Sequence, residues 1–292
     1  MILRRVLSDM LRTFFGSRKR AASDRRGADD VSAALPILPK GDPSRVPSFF
    51  LPMFWGTLDA DKVTELMKAA TALLMPGSHF ADNLLTWGRN MSMLDDAPFV
   101  AAWQANAESD ADKAVVWRRY VLASAAYHCV QLDGDFVECG AYTGVGIKTV
   151  LDYLGGPSFP RTFWGYDVFE HGDSMLNHPM PEHGPELYER VRKKFAGYPQ
   201  MRLLKGLIPE VFAEGCPLRI AYLHIDLNQA DAEIAALDHL FDRMVPGGLL
   251  ILDDYEWGGV YRPQKIAEDA WFQQRNYRVM PLPTGQGLII KR

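Results

Sequence analysis

The sequence predicts an α/β fold in which a doubly wound sheet of seven strands follows a helical cover at the N-terminus. Beyond residue 133, short apolar runs alternate with amphipathic helical patterns. This βαβ rhythm favours a parallel sheet with helices on both faces. Near the C-terminus, two short apolar runs flank a segment with two prolines and a glycine, residues 281–285. They predict a hairpin at the sheet edge, with an antiparallel last strand.

The elements are predicted in the following order. Before residue 133, helices are expected at 58–75, after an Asp-x-Asp cap region, and at 110–130. Strands are expected at 135–139, 162–167, 201–205, 219–226, 247–253, 277–280 and 286–291. Helices between and after these strands are expected at 145–154, 184–196, 208–214, 230–244 and 263–274. The complete pattern is that of a Rossmann-like sheet.

Composition places the chain among soluble globular proteins. Its 292 residues are 48% hydrophobic and 23% charged, and neither share departs from the usual range. A net charge of −4 argues against nucleic-acid binding by the whole chain. Three scattered cysteines without a CxxC spacing argue against a disulfide framework and a structural zinc site. We therefore expect a reduced, cytoplasmic protein.

The N-terminal tail differs in charge from the remainder. Residues 1–26 carry a balance of +6, which leaves −10 for the rest of the chain. Apolar residues recur there at helical spacing, at Leu3, Leu7, Met10 and Phe14. A short basic amphipathic helix of this kind predicts weak contact of residues 1–20 with a membrane surface. A frayed tail and a helix docked on a partner are the alternatives. No apolar run is long enough to span a bilayer.

A glycine-rich turn follows the first strand of the predicted sheet. The strand at 136–139 leads into Gly140, and Gly144 and Gly146 follow before a helix begins. Glycines let a ligand approach the backbone, and the helix N-terminus offers free N–H donors. The spacing GxxxGxG differs from the GxGxxG of dinucleotide sites, so a cofactor with a carboxylate tail fits better. Asp167 ends the next strand, where an acid suits ribose hydroxyls; a plain tight turn is the alternative.

Three acids end two other predicted strands. Asp226 closes one apolar run, and Asp253 and Asp254 close another. Buried carboxylates are costly unless positive charge lies between them. Magnesium prefers oxygen ligands and keeps several waters, so these acids predict a divalent metal site that orients an acceptor hydroxyl. A loop cap or a water site is the alternative.

Several motifs together resemble the macrocin O-methyltransferase family of class I S-adenosylmethionine-dependent methyltransferases. The motifs are ADNLLTWGRN at 81–90, GDFVECG at 134–140, HID at 224–226, PGG at 246–248 and DDY at 253–255. The resemblance covers roughly residues 80–292 and implies an S-adenosyl-L-methionine donor, magnesium, and a small-molecule acceptor with hydroxyl groups. The chain is therefore predicted to have three parts: a tail and linker at 1–48, a helical cover at 49–132, and a methyltransferase domain at 133–292.

The resemblance also implies a role for individual residues. The methionine end of the donor is assigned to Glu138, Gly140, Tyr142, Gly144 and Gly146. The ribose is assigned to Asp167, the adenine to Gly206 and Leu207, and the metal to Asp226, Asp253 and Asp254. We also expect a homo-oligomer.

The general base is less well defined by the sequence. The family has a second acid and a tyrosine where this chain has Asn228 and Ala230, and catechol-type relatives have a lysine at the position of Gln229. Asp226 and His224 are the candidates, although a histidine within a strand is more often part of the core. Two other hypotheses stay open: a metal-independent methyltransferase, and a non-catalytic scaffold with the same fold.

Overall fold

A computed structural model describes residues 46–172, 175 and 179–292. The predicted tail and nearly all of the predicted linker lie outside these residues, so the expected membrane contact of residues 1–20 stays a prediction. No helix among the described residues is long and apolar enough to cross a membrane.

Within residues 46–134, a small three-stranded sheet accompanies the helices. Its strands are β1 (Phe49–Phe50), β2 (His79–Ala81) and β3 (Leu84–Thr86), and β2 pairs parallel with β1 and antiparallel with β3. The helices are α1 (Ala60–Thr71), α2 (Ser92–Asp95), α3 (Ala97–Asn106), α4 (Asp110–Ala114) and α5 (Val116–Cys129). The cover is thus not purely helical. The helix predicted at 110–130 is two helices, separated at Val115.

The main sheet alternates with helices as the βαβ rhythm predicted. Its elements are β4 (Asp135–Cys139), α6 (Val145–Tyr153), β5 (Phe163–Asp167), α7 (Leu187–Lys194), β6 (Met201–Lys205), β7 (Ile220–Ile225), α8 (Ala230–Leu240), β8 (Met244–Leu252), α9 (Arg262–Gln274), β9 (Met280–Pro281) and β10 (Gly287–Ile290). The segment predicted as a helix at 208–214 forms only a short 3₁₀ turn, Glu210–Ala213.

The order of the strands confirms the predicted fold class. The seven-stranded sheet runs β6-β5-β4-β7-β8-β10-β9, with β4 to β8 parallel and β10 antiparallel to β8. The chain winds outward from β4 in one direction to β6 and then in the other direction from β7. Ligands of doubly wound sheets bind at such a switch point, beyond the carboxyl ends of the strands.

Alternate residues of the central strands pack on opposite faces of the sheet. Phe136 and Tyr222 lie in one apolar cluster, with their rings stacked at 5.0 Å between centroids. Val137 and Leu223, one position along each strand, lie in the cluster on the other face. Because every residue of β7 is buried, the carboxyl ends of β4, β7 and β8 are held by packing on both sides.

A buried pair of carboxyl groups lies between α8 and α9. Glu233 is 3% exposed and Glu268 is 1% exposed. The side-chain amide of Gln264 donates a hydrogen bond of 2.8 Å to Glu233. Burial raises the pKa of Glu268 from 4.5 to about 7. The charged form of this pair is therefore disfavoured in the folded protein.

We expect Glu268→Gln to reduce the dependence of stability on pH. The pKa of Glu268 is higher in the folded than in the unfolded chain, so the wild type loses stability as the pH rises from 4.5 to about 7. Glutamine cannot ionise. Between pH 5 and pH 8, the free energy of unfolding of the variant should therefore fall by roughly 1–3 kcal/mol less than that of the wild type. Urea unfolding at pH 5 and pH 8 measures this effect. The exposed Glu214→Gln is the control; equal pH dependence of all three proteins would refute the expectation.

Candidate functional site

A line of polar side chains crosses the carboxyl ends of three neighbouring strands. Glu138 on β4 lies opposite His224 on β7 in the strand register, and Asp253 follows β8 directly. The Nδ1 atom of His224 lies 2.9 Å from Glu138 Oε2, and its Nε2 atom lies 3.4 Å from Asp253 Oδ1. Since all three side chains are buried, their contacts are shielded from water.

The imidazole of His224 behaves as a cation in this position. Burial alone would lower the pKa of His224, but the carboxylates of Glu138 and Asp253 raise it to about 10. An imidazolium that donates from both nitrogens has no lone pair with which to take a proton. This arrangement favours a counter-ion over the base role considered for His224.

The glycine turn reaches the same rim of the sheet. A Cβ atom on Gly140, where φ is +99°, would lie 1.8 Å from the carbonyl oxygen of Asp226, so only glycine fits there. Gly144 has φ of +74° and precedes α6, whose first turn contains Gly146. The predicted donor turn and the first predicted metal ligand are therefore direct neighbours.

Asp167, the predicted ribose ligand, also holds the turn in place. Its Oδ2 atom accepts a hydrogen bond of 2.7 Å from the backbone N–H of Tyr142, and Oδ1 accepts one of 2.5 Å from Phe169. Burial raises the pKa of Asp167 to about 6. The predicted adenine residues lie close by, because the N–H of Gly206 donates to the carbonyl of Asp167 at 3.0 Å. Leu207 is 57% exposed at the surface next to it.

The three predicted metal ligands differ in the direction in which the site shifts their pKa. Burial, and then repulsion from Asp253, raises the pKa of Asp226 to about 7. Burial and repulsion from Asp226 and Asp253 raise the pKa of Asp254 well above its usual range. Burial acts in the same direction on Asp253, but Arg118 and His224 outweigh it and hold its pKa well below the usual range.

Arg118 supplies positive charge to this acidic cluster. It lies in the first turn of α5 and its Nη1 atom is 2.6 Å from Asp253 Oδ2 and 3.5 Å from Asp254 Oδ1. Its Nε and Nη2 atoms donate to the two oxygens of Asp82, at 2.8 and 3.1 Å. One guanidinium therefore joins the turn between β2 and β3 to the end of β8.

These contacts bear on the predicted magnesium site. His224, Asp226 and Asp253 offer ligand atoms that all lie within 4.8 Å of one another. Both oxygens of Asp253 already accept hydrogen bonds, however: Oδ2 from Arg118, and Oδ1 from the amide of Gln286 at 2.8 Å. With Arg118 in place, the cluster is a poor fit for a magnesium ion bound by the three predicted aspartates, because three donors already surround Asp253 and its remaining acceptor capacity lies on Oδ2, beside the guanidinium.

Two of these contacts have no motif in the sequence. Arg118 lies outside every motif singled out above, yet Leu122, four residues later on α5, is fully buried. A charged residue at the head of an apolar helical stripe was the signal for a buried partner. Gln286 lies far from Asp253 in the chain and forms its contact only through the hairpin of β9 and β10, so no local pattern marks it.

A cavity of about 540 Å³ opens beside the guanidinium. It lies between Asp82 and Asn83 on the cover, Glu256 and Trp257 after β8, and the loop at 281–285. The ring centroid of Trp257 is 5.5 Å from Arg118 Cζ. Trp87, which belongs to the motif at 81–90, is not among the residues that line this cavity.

The loop at 169–183, between β5 and α7, is only partly described. His171 and His183 stack at 6.2 Å between ring centroids, and His183 also packs edge-on against Tyr142 of the glycine turn. The backbone N–H of Glu182 donates to the Tyr142 hydroxyl at 3.1 Å. His178 lies outside the described residues. The loop thus contacts the proposed donor turn.

Comparison with known proteins identifies the family. The model of the macrocin O-methyltransferase (TylF) family matches residues 122–276, more than half of the chain. The chain belongs to the macrocin O-methyltransferase family. The matched region begins within α5 and ends just after α9, so it contains the glycine turn and the three aspartates.

Two curated relatives of this chain are O-methyltransferases by name. The chain is 28% identical over 148 residues to 8-demethyl-8-(2,3-dimethoxy-alpha-L-rhamnosyl)-tetracenomycin-C 4'-O-methyltransferase of Streptomyces olivaceus, covering 42% of this chain and 53% of that protein. It is 27% identical over 157 residues to mycinamicin III 3''-O-methyltransferase of Micromonospora griseorubida, covering 44% and 60%. The matches therefore span little more than half of each relative.

Solved structures support the fold. The O-methyltransferase NovP is similar with a TM-score of 0.53 at 20% identity, over 64% of this chain and 83% of that chain. The calicheamicin methyltransferase CalS11 is similar with a TM-score of 0.51 at 15% identity, over 80% and 94%. At such low identity the likeness shows a shared Rossmann-like fold alone.

We expect Asp82→Ala to destabilise the protein by about 3 kcal/mol, because removing one partner leaves a buried guanidinium partly uncompensated. The control is Asp110→Ala, whose exposed pair with Lys113 should contribute less than about 1 kcal/mol. Urea unfolding of both variants at pH 7.5 measures the difference. Equal losses in the two variants would show that the Asp82–Arg118 contact does not form as described.

Proposed function

We propose that this protein is an S-adenosylmethionine-dependent O-methyltransferase that acts on a hydroxyl group of a sugar or other natural product. The observation that carries the proposal is the direct contact between the glycine turn and Asp226 in a member of this family. The glycine turn adjoins the backbone of Asp226, whose side-chain carboxylate can take a proton, at the switch point of the sheet.

The turn is suited to the methionine end of the donor. Gly140, Gly144 and Gly146 add no side chains of their own to the turn before α6, where the N-terminus of that helix offers free N–H donors. In this proposal Glu138 binds the donor's amino group, Asp167 binds the ribose, and Gly206 and Leu207 border the adenine. Asp167 keeps lone pairs for the ribose beyond the two backbone donors that it already accepts.

Arg119 adds a positive charge that suits the donor's carboxylate. Its Nη1 atom would lie 2.6 Å from a Cβ atom on Gly146, so the guanidinium covers the first turn of α6. The Nε–H group of Arg119 is buried and donates to no acceptor among the described residues. A buried N–H of a guanidinium with no acceptor favours a carboxylate ligand.

The chemistry requires alignment and one proton acceptor. The donor supplies an electrophilic methyl group on a sulfonium sulfur. The acceptor oxygen forms the new O–C bond as the C–S bond breaks, and the hydroxyl proton moves to a base. We assign that base to Asp226, because its backbone adjoins Gly140 and its side chain points to the acidic cluster. His224 then holds Glu138 and Asp253 in place as their shared counter-ion.

The cavity beside Arg118 has the chemistry of a glycoside site. Asp82, Asn83 and Glu256 offer oxygens that accept hydrogen bonds from hydroxyl groups, and Trp257 offers an apolar ring face. The carboxylates of Asp82 and Glu256 around this cavity disfavour an anionic acceptor. The name of one relative, which includes a rhamnosyl group, points in the same direction.

Several finer expectations from the sequence stay predictions and are not part of this proposal. Magnesium assistance at Asp226, Asp253 and Asp254 is a prediction from the family, and in this protein it would require Arg118 to leave Asp253. The cytoplasmic location, the homo-oligomer, the division into cover at 49–132 and methyltransferase domain at 133–292, and membrane contact of residues 1–20 also stay predictions.

Donor binding and transfer test the proposed function together. We expect S-adenosylmethionine and S-adenosylhomocysteine to bind in calorimetry, and a panel of hydroxylated glycosides to yield a methylated product by mass spectrometry. Asp226→Asn should keep donor binding and lose at least about 100-fold in turnover, as expected for a general base. Absence of donor binding would refute the function and favour the scaffold hypothesis; an unchanged rate in Asp226→Asn would refute the base assignment alone.

The acceptor cavity has a test of its own. Trp257→Ala should raise the acceptor KM roughly tenfold, because a stacking face is lost, while the donor Kd stays the same. Trp87→Ala is the matched control, since Trp87 is 55% exposed on the same cover and lies outside the cavity lining. Steady-state kinetics on one acceptor from the panel measures both. The assignment fails if the two variants change KM equally.

A further inference from the structure

The acidic cluster at the rim contains its own cation. Asp82, Asp226, Asp253 and Asp254 bring four carboxylates together, and a divalent ion is the usual way to offset such charge. Here the guanidinium of Arg118 contacts three of the four: it donates twice to Asp82 and its Nη1 atom lies 2.6 Å from Asp253 and 3.5 Å from Asp254. The side chain of Arg118 is only 14% exposed.

The hydrogen bonds of Asp253 leave little capacity for a second cation. Its Oδ2 atom binds Arg118, and its Oδ1 atom accepts from Gln286 at 2.8 Å and faces His224 at 3.4 Å. A metal ion ligated by Asp253 and Asp254 would compete with Nη1 for the same oxygens and would face a fixed positive charge at close range. The guanidinium therefore disfavours an ion at this position.

The packing of α5 also restrains Arg118. Its helix packs against β7, β8 and α6, and the residues that follow it on the same stripe, Leu122 and Ala126, are fully buried. The ring of Trp257 lies 5.5 Å from its Cζ atom, within reach of a cation–π contact. Withdrawal of the side chain would break these contacts together with the bidentate pair to Asp82.

We propose that the guanidinium of Arg118 is the resident cation of this site, in the position that a divalent metal would take. It orients Asp253 and Asp254 and supplies fixed positive charge beside the acceptor cavity, where negative charge develops on the attacking oxygen. A guanidinium cannot ligate that oxygen as a metal does, so deprotonation falls to a carboxylate. The role of Arg118 in the reaction rests on the proposed function. Its occupation of the cation position does not depend on that function.

Manganese binding to the full chain tests the proposal without donor or acceptor. Mn²⁺ accepts the same oxygen ligands as magnesium and is read directly by its EPR signal. The wild type should show no saturable site up to millimolar Mn²⁺. Arg118→Gln should gain one site, at least roughly tenfold tighter than any wild-type binding, because the carboxylates lose their counter-ion. Arg118→Lys, which keeps the charge, should resemble the wild type.

Controls separate this result from loss of the fold. Arg161→Gln removes a partly exposed arginine that pairs with Asp133 elsewhere, and it should gain no site. If Arg118→Gln is unstable, Mn²⁺ should raise its melting temperature and leave that of the wild type unchanged. The double variant Arg118→Gln with Asp253→Asn should lose the gained site.

Two outcomes would overturn the proposal. One is a saturable, stoichiometric Mn²⁺ site in the wild type; the other is a folded Arg118→Gln variant that gains none. Donor calorimetry on the same samples keeps the two hypotheses apart. A chain that binds S-adenosylhomocysteine and also binds Mn²⁺ is a metal-assisted methyltransferase, which contradicts this inference only. A chain that binds neither S-adenosylhomocysteine nor Mn²⁺ contradicts the proposed function and leaves this inference intact.

Discussion

The arrangement of the site depends on how buried negative charge is offset at the carboxyl ends of β4, β7 and β8. Glu138 and Asp253 share the imidazolium of His224, and Asp253, Asp254 and Asp82 share the guanidinium of Arg118. Burial of these carboxylates without the two cations would cost several kcal/mol each. The contacts form one continuous network from the glycine turn to the cover, so a change at either end alters the charge balance of the whole rim.

The same network explains how the N-terminal cover takes part in the site. The turn between β2 and β3 carries Asp82, which binds Arg118 and also lines the cavity of about 540 Å³. Trp257, after β8, closes the other side of that cavity against the guanidinium. The acids and the cavity therefore lie around one arginine, and His224 links Asp253 to Glu138 before the glycine turn. Folds of this class vary their acceptor sites through such loops, whereas the sheet that holds the donor stays constant.

The sequence predicted the features that depend on local pattern. Strand β4 was predicted at its observed bounds, and the glycine turn, Asp226 and Asp253 were assigned to one rim because parallel strands end on the same side. The missed features depend on distant contacts. The small sheet of β1 to β3 has strands of two or three residues, too short for a periodic signal. Arg118 meets Asp253 across 135 residues of chain, and only the folded structure reveals that a helix of the cover delivers a cation to the acids.

Diffraction from crystals grown with S-adenosylhomocysteine and Mn²⁺ tests this account most directly. We predict electron density for the cofactor product along Gly140 to Gly146, the guanidinium of Arg118 between Asp82 and Asp253, and no anomalous manganese peak among the three aspartates. A manganese peak bound by Asp226, Asp253 and Asp254, with Arg118 turned away, would contradict the account.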